Sequence, residues 1–152
     1  FLMIRRPPRS TQGVSSAASY VYKRQVEDRS FFFFIKEKVL LLNNENRIKE
    51  YPIHFLSELI IYSGHKPLRS NEQKLESFDI ATGVFNHKGG GIKTIHNQDV
   101  VSCFHSVFYG PSIIKPGIEH LVFDLLLDYS SYHLPGYDSK KSIEIIRETL
   151  YG

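Results

Sequence analysis

Apolar and polar positions change period several times along the chain, and each change marks a candidate element. Phe31–Ile35 and Val39–Leu42 are apolar runs of strand length, separated by Lys36-Glu37-Lys38. Aromatic and branched side chains favour extended backbone, so two strands are expected. Asn43-Asn44-Glu45-Asn46 is a turn cluster, because Asn tolerates left-handed backbone. Arg47–Tyr51 alternates, with Ile48 between Arg47 and Lys49, and predicts a half-exposed third strand that completes a meander. Pro52 suits the first position of a helix, where its missing N–H costs nothing. Ile53, Leu56, Leu59 and Ile60 give that helix one apolar stripe, and Gly64 ends it in the left-handed position. Ser70 with Gln73 fits a capping box, and Leu75, Phe78 and Thr82 share a face, so a second helix is expected over Ser70–Ala81, stopped by Gly83.

Val84-Phe85 and Ile92–Ile95 then suggest a hairpin around the glycine loop His87–Gly91. Asn97 or Asp99 opens a further helix with Val100, Phe104 and Val107 on one side, and Gly110-Pro111 terminates it. After the turn at Pro116-Gly117, Ile118, Leu121, Val122 and Leu125 read as a buried helix, with a strand as the alternative. Ser130-Ser131 and Pro135-Gly136 punctuate a loop, and Ser142–Tyr151 is a terminal helix or a strand followed by a turn. The plan is α+β. It has a winged-helix-like domain (three-stranded meander, two short helices, glycine-loop hairpin) over residues 26–96, and a helical extension or linker over 97–152.

Composition changes this picture in one place. A chain of 152 residues with 41% hydrophobic and 13% aromatic residues fills one domain core. No apolar run reaches the roughly 18 residues of a membrane span. Cys103 is the single cysteine, so there is no internal disulfide and a cytoplasmic location is expected. Residues 1–25 include FLMIRRPPRSTQ, SSAAS and VYKRQ. This head resembles the conceptual translation of a sequencing adapter and is set aside from fold reasoning. It holds Arg5, Arg6, Arg9, Lys23 and Arg24 and no acid. Residues 26–152 therefore carry 14 basic and 16 acidic side chains, a formal charge of −2. A general appeal to nucleic acid or anionic membrane then fails. The only methionine, Met3, lies in the head, and the remainder reads as a gene fragment.

Candidate chemistry is sparse. Lys88–Thr94, KGGGIKT, has the look of a phosphate loop, but Ile92 stands where glycine should precede the lysine. The same stretch, His87–Lys93, resembles the glycine loop of ribosomal protein L2, a family whose basic character this body lacks. His87 before glycines evokes an esterase oxyanion loop, yet no Gly-x-Ser-x-Gly elbow exists. Cys103 and His105 fall on different faces of a helix, and Cys103 reads as a small buried hydrophobe. The seven histidines show no His-x-x-x-His pair and no Cys-x-x-Cys, and Glu119-His120 lacks a partner at ligand spacing, so no metal is expected. The expected helix Ser70–Ala81 carries Glu72, Glu76 and Asp79 against Lys74 alone, which argues against duplex DNA in its groove.

The ending ESFDIATGVF, with Thr82-Gly83-Val84-Phe85, resembles the winged-helix domains that recognise leader peptides in ribosomal peptide maturation. Asp99 with Phe104-His105-Ser106, and Tyr132-His133-Leu134-Pro135-Gly136, are similar to the linker that follows this domain in nitroreductase-like azoline dehydrogenases. That resemblance implies a peptide-binding fragment without catalytic residues or a cofactor of its own, from a parent that carries FMN. An extended peptide would then lie along Arg47, Ile48, Lys49 and Tyr51 and against Leu75 and Phe78. The alternatives are a winged-helix DNA-binding module, a ribosomal protein L2-like fragment, and a domain with no assignable role.

Overall fold

The computed structural model describes residues 29–42, 47–89, 91–134 and 140–152. The chain separates into two compact units, residues 1–44 and 45–152.

In the first unit, residues 29–42 form one helix, α1. The two strands expected at Phe31–Ile35 and Val39–Leu42 are therefore a single helical stretch. Phe31 stacks on Phe34 at 6.4 Å, and the Lys38 ammonium lies 5.8 Å from the Phe34 ring centre. These are the i,i+3 and i,i+4 neighbours of a helix. Short apolar runs carry no period that separates helix from strand, and here the helix wins. The turn expected at Asn43–Asn46 and the adapter-like head lie outside the described residues.

In the second unit, Ile48–Glu50 is a turn that leads directly into helix α2, Tyr51–Tyr62. The third strand expected at Arg47–Tyr51 is absent, and with it the meander. Helix α2 itself follows the sequence pattern: Pro52 lies in its first turn, Ile53, Leu56, Ser57 and Ile60 are buried, and Gly64 has φ +78°.

The segment Ser70–Ala81 is not a helix. It runs extended into β1 (Phe78–Asp79), which turns through Ile80–Gly83 into β2 (Val84–Phe85). Asn86 supplies the reason. Its side-chain oxygen accepts from the backbone N–H of Glu76 (2.8 Å) and Ser77 (3.2 Å), and its amide donates to the Lys74 carbonyl (2.8 Å) and the Glu72 carboxylate. Backbone groups that a helix would need are thus committed to a residue nine to twelve positions away. The hydroxyl expected to cap a helix, Ser70 Oγ, accepts from Glu72 N–H at 3.3 Å and makes a turn instead.

Strand β3 (Thr94–Ile95) also pairs with β1, so the antiparallel sheet has the order β2-β1-β3. Phe78 faces Phe85 on one side and Ile95 on the other. The expected hairpin between Val84-Phe85 and Ile92–Ile95 is corrected accordingly: both flank a central strand. As the middle strand, β1 buries both Phe78 and Asp79. Alternation disappears there, which disguised it in the sequence.

Three helices complete the unit. Helix α3, Gln98–Tyr109, is capped by the Asn97 side chain, which accepts from Val100 N–H at 3.3 Å, and ends at Gly110-Pro111. Helix α4, Glu119–His133, runs through Ser130-Ser131, where a loop was expected; the buried Ser130 hydroxyl donates to the Leu126 carbonyl at 2.7 Å. Helix α5 spans Lys140–Tyr151. Helix α4 packs against α2, α3 and α5. Phe78, Phe85, Phe104 and Tyr129 form an aromatic centre with ring separations of 4.6 to 6.1 Å, and Cys103 is buried in the same core. No described helix is long and apolar enough to cross a membrane.

Candidate functional site

The chain leaves α2 at Ser63 and passes His65-Lys66-Pro67-Leu68 along the edge of the core. Four hydrogen bonds hold this strap. His65 N–H donates to the Ile60 carbonyl (3.1 Å) and Leu68 N–H to the Gly83 carbonyl (3.0 Å). The Tyr129 hydroxyl donates to the His65 carbonyl (2.7 Å), and the Tyr109 hydroxyl donates to the Pro67 carbonyl. Pro67 is fully buried. Lys66 therefore sits between two carbonyls that are each fixed by a phenol from another helix. Burial pushes the Tyr129 phenol up to about 12, with Tyr109 adding to the effect, and burial also raises Tyr109 despite the opposing Arg69 charge. Both phenols keep the proton they donate.

Two cations converge on Tyr109. The Lys66 ammonium lies 4.0 Å from the ring centre and the Arg69 guanidinium carbon 5.8 Å from it. The His105 ring packs beside Tyr109 at 5.2 Å and edge-on to Phe85 at 5.0 Å. Burial, reinforced by the Arg69 charge, lowers the His105 pKa, while its hydrogen bond to the Ser70 backbone opposes this. His105 Nε2 and His65 Nδ1 are buried without a hydrogen-bond partner among the described residues. Beside Arg69, an open groove of about 400 Å³ runs between Leu68–Glu72 and Val84-Phe85.

Only some of the described cations meet an acid. Arg47, Lys74, Lys115 and Arg147 are matched by Glu50, Glu76, Asp99 and Asp124. Lys66, Arg69, Lys88 and Lys93 are exposed and have no carboxylate partner among the described residues. An exposed cation held by an aromatic ring and a fixed backbone gives up little freedom when it meets an anion.

The residues expected to hold a peptide are not assembled into one surface. Arg47 pairs with Glu50, Ile48 is exposed, the Lys49 carbonyl accepts from the Tyr151 hydroxyl (2.6 Å), and Tyr51 stacks on Phe55. Leu75 and Phe78 are core residues. The phosphate-loop reading of Lys88–Thr94 meets a strand, β3, where a helix is required. Among the described residues no group of three or more His, Cys, Asp or Glu is placed to hold a metal. Lys66, Arg69 and Tyr109 were not singled out from the sequence. The available signal was two cations flanking Pro67 with no acid between Gly64 and Asn71.

No family model matches the chain, and no solved structure matches it. The chain is similar to the DNA repair protein RecO of Flavobacterium psychrophilum, 23% identical over 140 residues. The match covers 89% of this chain and 58% of that protein, so the chain spans about three-fifths of its relative's length. This similarity overturns the peptide-recognition reading. That relative is named for DNA repair, and the acidic helix and alternating strand that motivated a peptide groove do not exist in the fold.

Proposed function

We propose that this chain is part of a DNA repair protein of the RecO type and contacts nucleic acid through the Lys66–Arg69–Tyr109 corner. The observation that carries the reading is the similarity over 140 residues to the Flavobacterium DNA repair protein RecO. The geometry supports it at one place. Lys66 and Arg69 are unpaired with acid among the described residues and are supported by the Tyr109 ring, and Arg69 lines an open groove whose lining also carries Glu72. Phosphate contacts of this kind need local cations and not a basic protein as a whole. Residues 26–152 carry a formal charge of −2, so affinity from this unit is modest, in the range of about 10⁻⁴ to 10⁻⁶ M typical of sequence-independent contacts.

The test is fluorescence anisotropy of a labelled oligonucleotide across a salt series. Binding is expected to weaken linearly in log-log form, and the Lys66→Ala, Arg69→Ala double variant is expected to flatten the slope by roughly one to two. Absence of binding at low salt, or an unchanged slope in the double variant, contradicts the assignment.

A further inference from the structure

The corner just described can hold phosphate, but its aromatic ring is occupied: Tyr109 lies between His105 and Lys66. A second set of residues, joined to the Ile80–Gly83 turn through the Lys93 carbonyl, adds an exposed apolar side chain to a half-exposed ring. Ile92 is fully exposed. Its exposure is imposed by its neighbours. Gly91 packs so closely on the buried Asp79 that an added Cβ would meet the carboxyl carbon at 2.5 Å. Thr94 Oγ1 donates to the Gly91 carbonyl at 3.1 Å, and Ile80 N–H donates to the Lys93 carbonyl at 3.1 Å. Asp79 is itself fixed, accepting from Ala81 N–H (3.2 Å) and Thr82 Oγ1 (2.7 Å). An isoleucine between two anchored residues cannot fold back onto the core, so an apolar side chain is held in water.

Its surroundings indicate what it meets. Lys93, the next residue, places its ammonium 5.0 Å from the ring centre of Tyr132, which is 51% exposed. Lys88, on the other arm of the loop, is exposed and without a carboxylate partner among the described residues. The acid on the adjoining turn of α4 is Asp128. An exposed apolar tip, an exposed aromatic ring and unpaired cations together match an unstacked nucleobase with its phosphate.

We infer that Ile92 and Tyr132 form a base-contacting site, with Lys93 on the adjacent phosphate. The site is separate from the Lys66–Arg69 phosphate contact and rests on the proposed nucleic-acid role. The two sets flank one turn: Leu68 is bonded to Gly83, and Lys93 to Ile80. A single strand crossing that turn would lay phosphate on the first and bases on the second. A fully stacked duplex presents no free base face to Ile92.

The experiment compares a labelled single-stranded oligonucleotide with a blunt hairpin duplex of the same sequence, using the full chain. Ile92→Ser and Tyr132→Ala are each expected to weaken single-strand binding about fivefold or more, with the salt slope unchanged. Tyr132→Phe is expected to retain affinity, and duplex affinity is expected to be unmoved. Both positions are exposed, so the variants fold, which circular dichroism verifies. If Lys66→Ala and Arg69→Ala weaken binding while Ile92→Ser and Tyr132→Ala leave it intact, the base site is wrong and the phosphate contact stands. If the unaltered chain binds neither probe, the nucleic-acid role itself fails and takes the base site with it. Ile92-dependent sedimentation with anionic vesicles, without an effect on the oligonucleotide, assigns the tip to lipid and overturns the inference.

Discussion

At the scale of single residues, the fold turns on a few side chains that commit backbone groups. Asn86 does so for Lys74, Glu76 and Ser77, and Asp79 for the turn after β1. Gly91 is the tightest of these positions, because a methyl group there collides with the Asp79 carboxylate. Gly91→Ala should lower stability by about 1–3 kcal/mol, the usual cost of overpacking, read as a shift in urea midpoint. His105 gives a pH signature. Its folded pKa is lowered, first by burial and then by Arg69, so the folded state favours the neutral ring. Its contribution is complete above the ordinary imidazole value of 6.5 and is lost as pH falls below that value toward the depressed one. Denaturation series above and below this point should show wild-type stability falling on the acid side more steeply than that of His105→Phe. Equal slopes would remove His105 from the account.

At the scale of elements, what could be read from the sequence was what local chemistry decides. Pro52 in the first turn of α2, Gly64 after it, the Asn97 cap and the Gly110-Pro111 stop all stand where the sequence placed them. The errors have two causes: the Phe-rich run carries no period that decides between helix and strand, and the Lys74–Ser77 backbone is held by Asn86 from further along the chain. The Phe-rich run has strand-forming residues but adopts α1, and Ser70–Ala81 has a helix-start signal whose hydroxyl serves a turn. The sheet order β2-β1-β3 follows from pairings that no local pattern encodes. The strap after α2 depends on distant contacts. Its anchor Tyr129 lies 64 positions from His65, and Tyr109 lies 42 from Pro67. Tyr129→Phe tests the element directly. Losing the bond to the His65 carbonyl should cost about 1 kcal/mol by thermal or urea unfolding, and it should also weaken oligonucleotide binding, because Lys66 is then less fixed. A stability loss with unchanged binding would separate the strap from the site.

At the scale of the whole molecule, overall charge and local charge say different things. The apparent basicity of the chain, with a pI near 8.9, comes from the head, and the remainder is slightly acidic. That balance argued against polyanions when only the sequence was considered. The fold changes the argument by pairing Arg47, Lys74, Lys115 and Arg147 with acids and leaving Lys66, Arg69 and Lys93 beside aromatic rings. The similarity to a DNA repair protein supports the proposal that those cations meet nucleic acid. The central claim is that nucleic acid meets this protein on the strap that follows α2. Backbone amide chemical shifts recorded while a short oligonucleotide is added test it most directly. The account predicts shifts concentrated at His65–Ser70 and around Ile92 and Tyr132; shifts confined to Arg47–Tyr51 and α2, or none at saturating oligonucleotide, would contradict it.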